Sequence, residues 1–278
     1  MIEVMKKLLL LLLPIVAVAC TPDPVVEKGV EVKFKASIKS MTKAMEDKFA
    51  EGDEICVFAT EANLDNCYAS NVNYYFDGLY FISDDPVRYP DADTRLDFYA
   101  VYPEGYYRTP NFSFDVESDQ RKRSDYEKSD LMIAYKGAVN EETVSLSFRH
   151  MFTSVVVDFK PEILDASIEY IDLFAKAEVD LEDNSCTNDG SRVDIKAYSD
   201  GSGKYKVILP PQKINNKDSF AQITIGGEQF EWKLESDLIL SSNTEYSFTL
   251  EIKDEVVMVA SEINPWEDVD GDGTAILK

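Results

Sequence analysis

Apolar side chains recur at every second position along most of this chain, a period that builds strands and excludes long helices. Val30, Val32, Phe34, Ala36 and Ile38 alternate with Glu31, Lys33, Lys35 and Ser37. Leu96–Tyr102 alternates until Pro103 stops it, and Phe112, Phe114 and Val116 alternate, as do Val144, Leu146 and Phe148. Val155, Val157 and Phe159 share one face, and Ile168–Phe174 repeats the pattern. The run Ile55-Cys56-Val57-Phe58-Ala59 is continuous instead. Asp77-Gly78 and Gly226-Gly227 stand between alternating runs, where tight hairpin turns require them. Tyr246, Phe248, Leu250 and Ile252 continue the pattern, and Val256–Val259 closes it. Roughly fourteen short strands punctuated by turn residues predict an all-β protein of β-sandwich architecture. That is too many strands for one small sandwich, so two tandem domains are predicted, at 30–148 and 149–278, dividing after Asn140-Glu141-Glu142.

The N-terminus reads as an export signal. Lys6 and Lys7 precede an apolar run, Leu8 to Ala19, that ends Ala17-Val18-Ala19-Cys20. Small residues before a cysteine suit a lipoprotein peptidase, which needs a thiol to carry diacylglycerol. Residues 1–19 are therefore expected to be a signal peptide, with Met5 a more usual start than Met1, and Cys20 the lipidated first residue of the mature protein. A transmembrane span would need ~20 apolar residues, and Pro14 interrupts a run already too short. Residues 20–29, with Pro22, Pro24 and Gly29, read as a tether.

Charge and residue inventory exclude several function classes. The formal net charge is -24, spread along the chain, which repels phosphate and argues against nucleic acid and anionic membrane surfaces as partners. Cys56, Cys67 and Cys186 are too few for a disulfide scaffold; a Cys56–Cys67 bridge is open, but nothing in the spacing requires it, and the three are expected to be unbridged and buried. His150, the single histidine, lies among aromatic neighbours in a strand and is expected to be structural, so no catalytic residue and no cofactor is assigned. Asp200-Gly201-Ser202-Gly203-Lys204 lacks the spacing of a phosphate loop and reads as a hairpin turn. Asp268, Asp270 and Asp272 with Gly273 start like a calcium loop, but the twelfth position falls past Lys278; a polar turn is expected, with these aspartates a weak calcium candidate. The aromatic segment Tyr74 to Tyr107 reads as core before it reads as a sugar platform, and Arg121-Lys122-Arg123 as a solvated loop.

Several segments, in order, carry a family resemblance. Phe34-Lys35-Ala36 is followed by Thr42-Lys43-Ala44 and Gly52-Asp53-Glu54-Ile55, then by Leu96–Pro103 and Asp119-Gln120. Ser129–Ala134, Leu146–Met151, Pro210-Pro211-Gln212 and Ile263-Asn264-Pro265-Trp266 complete the set. The chain resembles the fimbrillin-like lipoproteins, subunits of the donor-strand pili of Gram-negative gut and oral anaerobes. The resemblance implies two transthyretin-like β-sandwiches, anchorage of a surface-exposed protein to the outer membrane through lipid, and incorporation into a fimbrium with a role in cell adhesion. It implies other fimbrial subunits as partners and a receptor on a host or bacterial surface. It further implies that a protease removes the lipidated N-terminal strand and that a neighbour's strand replaces it. Lys43-Ala44 is then the processing candidate and Val30, Val32, Phe34, Ala36 and Ile38 the exchanged strand. The family often carries Thr-Arg-Ala where this chain has Thr42-Lys43-Ala44, and no arginine occurs between Cys20 and Arg88, so a strictly arginine-specific protease would have nothing to cut there, whereas a lysine-tolerant one could use Lys39, Lys43 or Lys48. The alternatives are a pilus anchor that keeps its lipid and a surface glycan-binding lipoprotein.

Overall fold

A computed structural model describes residues 29–38, 48–61, 67–105, 107, 110–216, 218–253 and 255–266. The all-β expectation is met: among these residues the only α-helix is α1 (Arg123–Lys128). The strands of the first half are β1 (Lys33–Ile38), β2 (Glu54–Thr60), β3 (Ala69–Phe76), β4 (Phe81–Ile82), β5 (Leu96–Tyr102), β6 (Asn111–Asp115), β7 (Met132–Val139) and β8 (Thr143–His150). Then come β9 (Thr153–Phe159), β10 (Ser167–Asp180), β11 (Ser185–Lys196), β12 (Tyr198–Ser199), β13 (Tyr205–Leu209) and β14 (Gln212–Ile214). The last are β15 (Ser219–Ile225), β16 (Glu228–Lys233), β17 (Leu238–Leu240), β18 (Thr244–Ile252) and β19 (Val256–Pro265).

The first-half strands close on themselves as a barrel in the order β1-β4-β3-β2-β5-β7-β8. Two five-stranded sheets follow. One runs β11-β10-β15-β16 with β6 joined to β10, the other β12-β13-β9-β18-β19, and β14 pairs with β17. Turn chemistry matches the sequence reading. Gly226 and Gly227 both have positive φ between β15 and β16, a conformation glycine adopts without a Cβ penalty. The Asp77 carboxylate accepts the amides of Leu79 and Tyr80, so Leu79 falls in the turn and β4 begins only at Phe81.

Buried apolar residues form two clusters, and the continuous run at 55–59 explains how they adjoin. Ile55, Val57 and Ala59 point into the barrel, while Cys56 and Phe58 on the opposite face join the second cluster. β7 divides the same way, Met132 and Ala134 inward, Ile133 outward. A strand buried on both faces has no polar face to show, which is why this run lacks alternation. β6 lies in the first half of the chain yet pairs with β10, from Lys176↔Asp115 to Asp180↔Asn111, so Phe112 and Phe114 belong to the second cluster.

Two buried glutamines take the place of strand neighbours. The Gln120 amide donates to the Ile208 carbonyl at 2.9 Å, and its Oε1 accepts the Ile208 amide at 2.9 Å. Gln212 does the same for Phe174, at 3.0 Å in both directions. Each side chain satisfies a backbone donor and acceptor that burial would otherwise leave unpaired. Leaving one such group unpaired costs about 1–3 kcal/mol. Replacing Gln120 with leucine, similar in size, should therefore lower unfolding free energy by about 2–4 kcal/mol in urea denaturation, with an unchanged m value.

Candidate functional site

β1 closes the barrel, and its two sides are held unequally. On one side it runs parallel to β8 through six residue pairs, Lys33↔Thr143 to Ile38↔Phe148. On the other side it meets β4 only at Phe34↔Phe81, with an extension in which Val32 N donates to Val87 O at 2.9 Å and Tyr89 N to Val30 O at 3.1 Å. The Tyr74 hydroxyl stitches this seam by donating to Val32 O and accepting the Val87 amide, and burial pushes it well above the ordinary phenol range. Gly29 enters the seam so closely that a Cβ there would lie 1.7 Å from Tyr89 O.

The alternation of β1 is realised over a shorter span than 30–38. Val32 and Phe34 are buried, and Ala36 and Ile38 are partly buried against the same cluster. Val30 is 53% exposed and lies outside the strand, because the chain there runs past the end of β8. Phe34 stands edge-on to Tyr74 and Phe98, with ring centroids 4.8 and 5.3 Å away. Burying a side chain of this size contributes about 1.5–3 kcal/mol.

Ile38, at the end of β1, and Lys48-Phe49-Ala50, where the described chain resumes, both line a cleft of about 560 Å³. Its walls come from the barrel and from the second body, the sheets and loops packed around the second cluster. Phe49 packs against Phe81, Tyr102 and Phe148. Opposite, Tyr126 of α1 stacks on Tyr198 with centroids 5.2 Å apart. His150 ends β8, takes Asp130 Oδ1 at 2.7 Å through Nδ1, and lies flat on Trp266 with centroids 3.8 Å and planes 3° apart. Asp130, His150 and Trp266 come from three of the segments that carried the family resemblance, and the fold brings them into one contact. Lys206, 3% exposed, is neutralised by Asp200 at 3.3 Å.

Several predicted residues fall elsewhere. Cys20, Lys43, Ala44, Lys39 and the aspartates 268, 270 and 272 lie outside the described residues. Within the described residues no group of three potential ligands could hold a metal ion. Cys56, Cys67 and Cys186 form no disulfide; Cys56 is buried, and Cys67 and Cys186 are only partly so. The Tyr74–Tyr107 aromatics are largely core: Tyr74, Tyr89, Phe98 and Tyr107 are buried, while Tyr75 is exposed. Asp200–Lys204 turns between β12 and β13, with the Asp200 carboxylate accepting the Ser202 amide. Arg121 pairs with Asp119, while Arg123, read as loop, opens α1 and pairs with Glu127 four residues on.

A fimbrillin-like family model matches residues 42–266. No curated protein matches the chain. Among solved structures, a candidate cell adhesion protein from Bacteroides ovatus superposes with a TM-score of 0.68 at 14% identity, covering 86% of this chain and 99% of the other. One from Bacteroides uniformis gives 0.66 at 18% identity, covering 85% and 98%. A fimbrial protein from Bacteroides ovatus gives 0.53 at 16% identity, covering 82% of this chain and 49% of the other.

Two measurements check the local chemistry. Phe34→Ala should destabilise by about 3–5 kcal/mol, whereas Val30→Ala should change stability by less than about 0.5 kcal/mol, both read by thermal or urea unfolding. Burial raises the Cys186 thiol to about 11 and the Cys56 thiol further. A raised thiol holds less thiolate at pH 8, so Cys186 should alkylate at least roughly tenfold more slowly than an ordinary cysteine. Cys56 should label only after unfolding, both sites being followed by peptide mass spectrometry.

Proposed function

The chain belongs to the fimbrillin-like family, and on that premise we propose that it is a surface fimbrial subunit, exported as a lipoprotein on Cys20 and assembled by exchange of its first strand. The observation that carries this reading is the placement of β1. It closes the barrel through one full ladder and one short seam, and it directly precedes the segment holding Lys43-Ala44. Cleavage after Lys43 would remove the whole of β1. The facing backbone groups of β8 and β4 would lose their partners, and Val32 and Phe34 would leave an apolar groove lined by Tyr74, Phe81 and Phe98. An unpaired edge beside an apolar groove is what an alternating strand from a neighbouring subunit fills, giving hydrogen bonds through its main chain and burial through every second side chain. In this reading the groove belongs to an N-terminal domain, 30–148, and the body that carries it to a C-terminal domain, 149–278, with β6 crossing between them. The fimbrial and adhesion descriptions of the structurally similar Bacteroides proteins support the assignment to a surface adhesive fibre.

N-terminal analysis of protein extracted from the cell surface tests the reading directly. The expected mature chain starts at Ala44 and runs as SDS-resistant ladders with its neighbours, and replacing Lys39, Lys43 and Lys48 together with alanine should keep the N-terminus and abolish the ladders. Cys20→Ser should release the protein from the membrane fraction. An acylated Cys20 retained in purified fimbriae would overturn the exchanged-subunit reading in favour of a pilus anchor.

A further inference from the structure

The cleft beyond β1 carries hydrogen-bond acceptors and aromatic side chains along its walls. Asp53, from the turn before β2, Glu127, from α1, and Asp130, from the loop before β7, all line it. Tyr102 lines it too, and burial foremost, then the charges of Asp53, Asp130 and Glu127, push its phenol up. Asp53 accepts the Ala50 amide at 2.7 Å and, among the described residues, forms no ion pair. Its carboxyl is pushed up, first by burial and further by Glu127, with the Ala50 hydrogen bond opposing.

A second observation concerns His150. Its Nδ1 donates to Asp130, and in the neutral ring Nε2 is then a hydrogen-bond acceptor. His150 is 4% exposed, lines the cleft, and its Nε2 has no partner. A buried polar atom without a partner is destabilising, and folded proteins rarely leave one without a use for it. Asp53 and Asp130 each accept one donor and keep lone pairs for more, Nε2 has none, and Phe49, Tyr102 and Trp266 line the same cleft with aromatic rings of the kind that attract cations. The cleft's own cations are differently disposed. Arg123 is held by Glu127 at 2.6 Å and Lys206 by Asp200, while Lys48 and Lys204 are exposed.

We propose that this cleft binds an organic cation, an ammonium or guanidinium group, between Asp53, Asp130 and His150. Such a group offers several donors to these acceptors and a positive charge to the carboxylates and rings. The chemistry is shared by a free diamine and by a lysine or arginine side chain of a peptide.

Titration of the purified full chain distinguishes them, with Trp266 fluorescence and calorimetry as readouts. The probes are cadaverine, a lysine-containing peptide, and the same peptide with norleucine in place of lysine. Saturable binding of at least one cationic probe is expected, with none by the norleucine peptide. Asp53→Asn and Asp130→Asn should each weaken it at least tenfold, with near-UV circular dichroism unchanged, while Asp84→Asn, an exposed acid away from the cleft, should not. Binding of cadaverine as well as the peptide assigns a free diamine; binding of the peptide alone assigns a polypeptide side chain. Absence of saturable binding by all probes, or equal weakening by Asp84→Asn, overturns the proposal, the latter by reducing it to general attraction to an acidic protein. The titration is blind to cleavage and assembly, so its failure would leave the subunit reading untouched.

Discussion

Closure of the barrel by β1 is the constraint on which the rest of the first half depends. Six residue pairs with β8 and the short seam with β4 satisfy backbone groups that would otherwise form two bare strand edges. Phe34 occupies the centre of the enclosed core, against Tyr74 and Phe98, so the same six residues complete both the hydrogen-bond ladder and the packing. One short segment at the chain's start thus decides whether the barrel is closed. That is a liability for a purely structural domain and a usable property for a domain that exchanges a strand.

The barrel and the second body share a boundary built from sequence-distant residues. β2 and β7 each serve two cores at once, one on each face. β6 leaves the barrel to pair with β10, and Gln120 and Gln212 join strands by imitating the backbone. Asp130, His150 and Trp266 lock three further segments together at the cleft. Most of the segments that carried the family resemblance are therefore joints. They hold particular side chains because each joint demands a specific shape and hydrogen-bond set, which a generic strand residue does not meet.

The legible part of this protein was its local physics. Period-two alternation located β5 from end to end and the last five residues of β9, because a pleated strand leaves that trace. Asp77-Gly78 and Gly226-Gly227 marked real turns. Less was legible where the pattern carried no contrast. The polar first half of β11, Ser185 to Arg192, pairs with β10 along an exposed edge and so has no apolar face to read. α1 is six residues long with no buried residue, too short and too polar for a helical stripe. Val30 continued the alternation of β1 in sequence, but only the register with β8 shows that the ladder begins at Lys33.

By itself, the sequence determined the strand-forming character of the chain, most turn positions and a strongly acidic composition. These follow from side-chain chemistry at neighbouring positions and need no partner. Tertiary structure alone decided that the first-half strands close into a barrel, that β1 lies parallel to β8, that β6 crosses to the second body, and that Asp53, Asp130 and His150 face one cleft. Those features join residues dozens to more than a hundred positions apart. A local periodicity states which face of a strand is apolar, but not which distant strand will cover it or supply its hydrogen bonds.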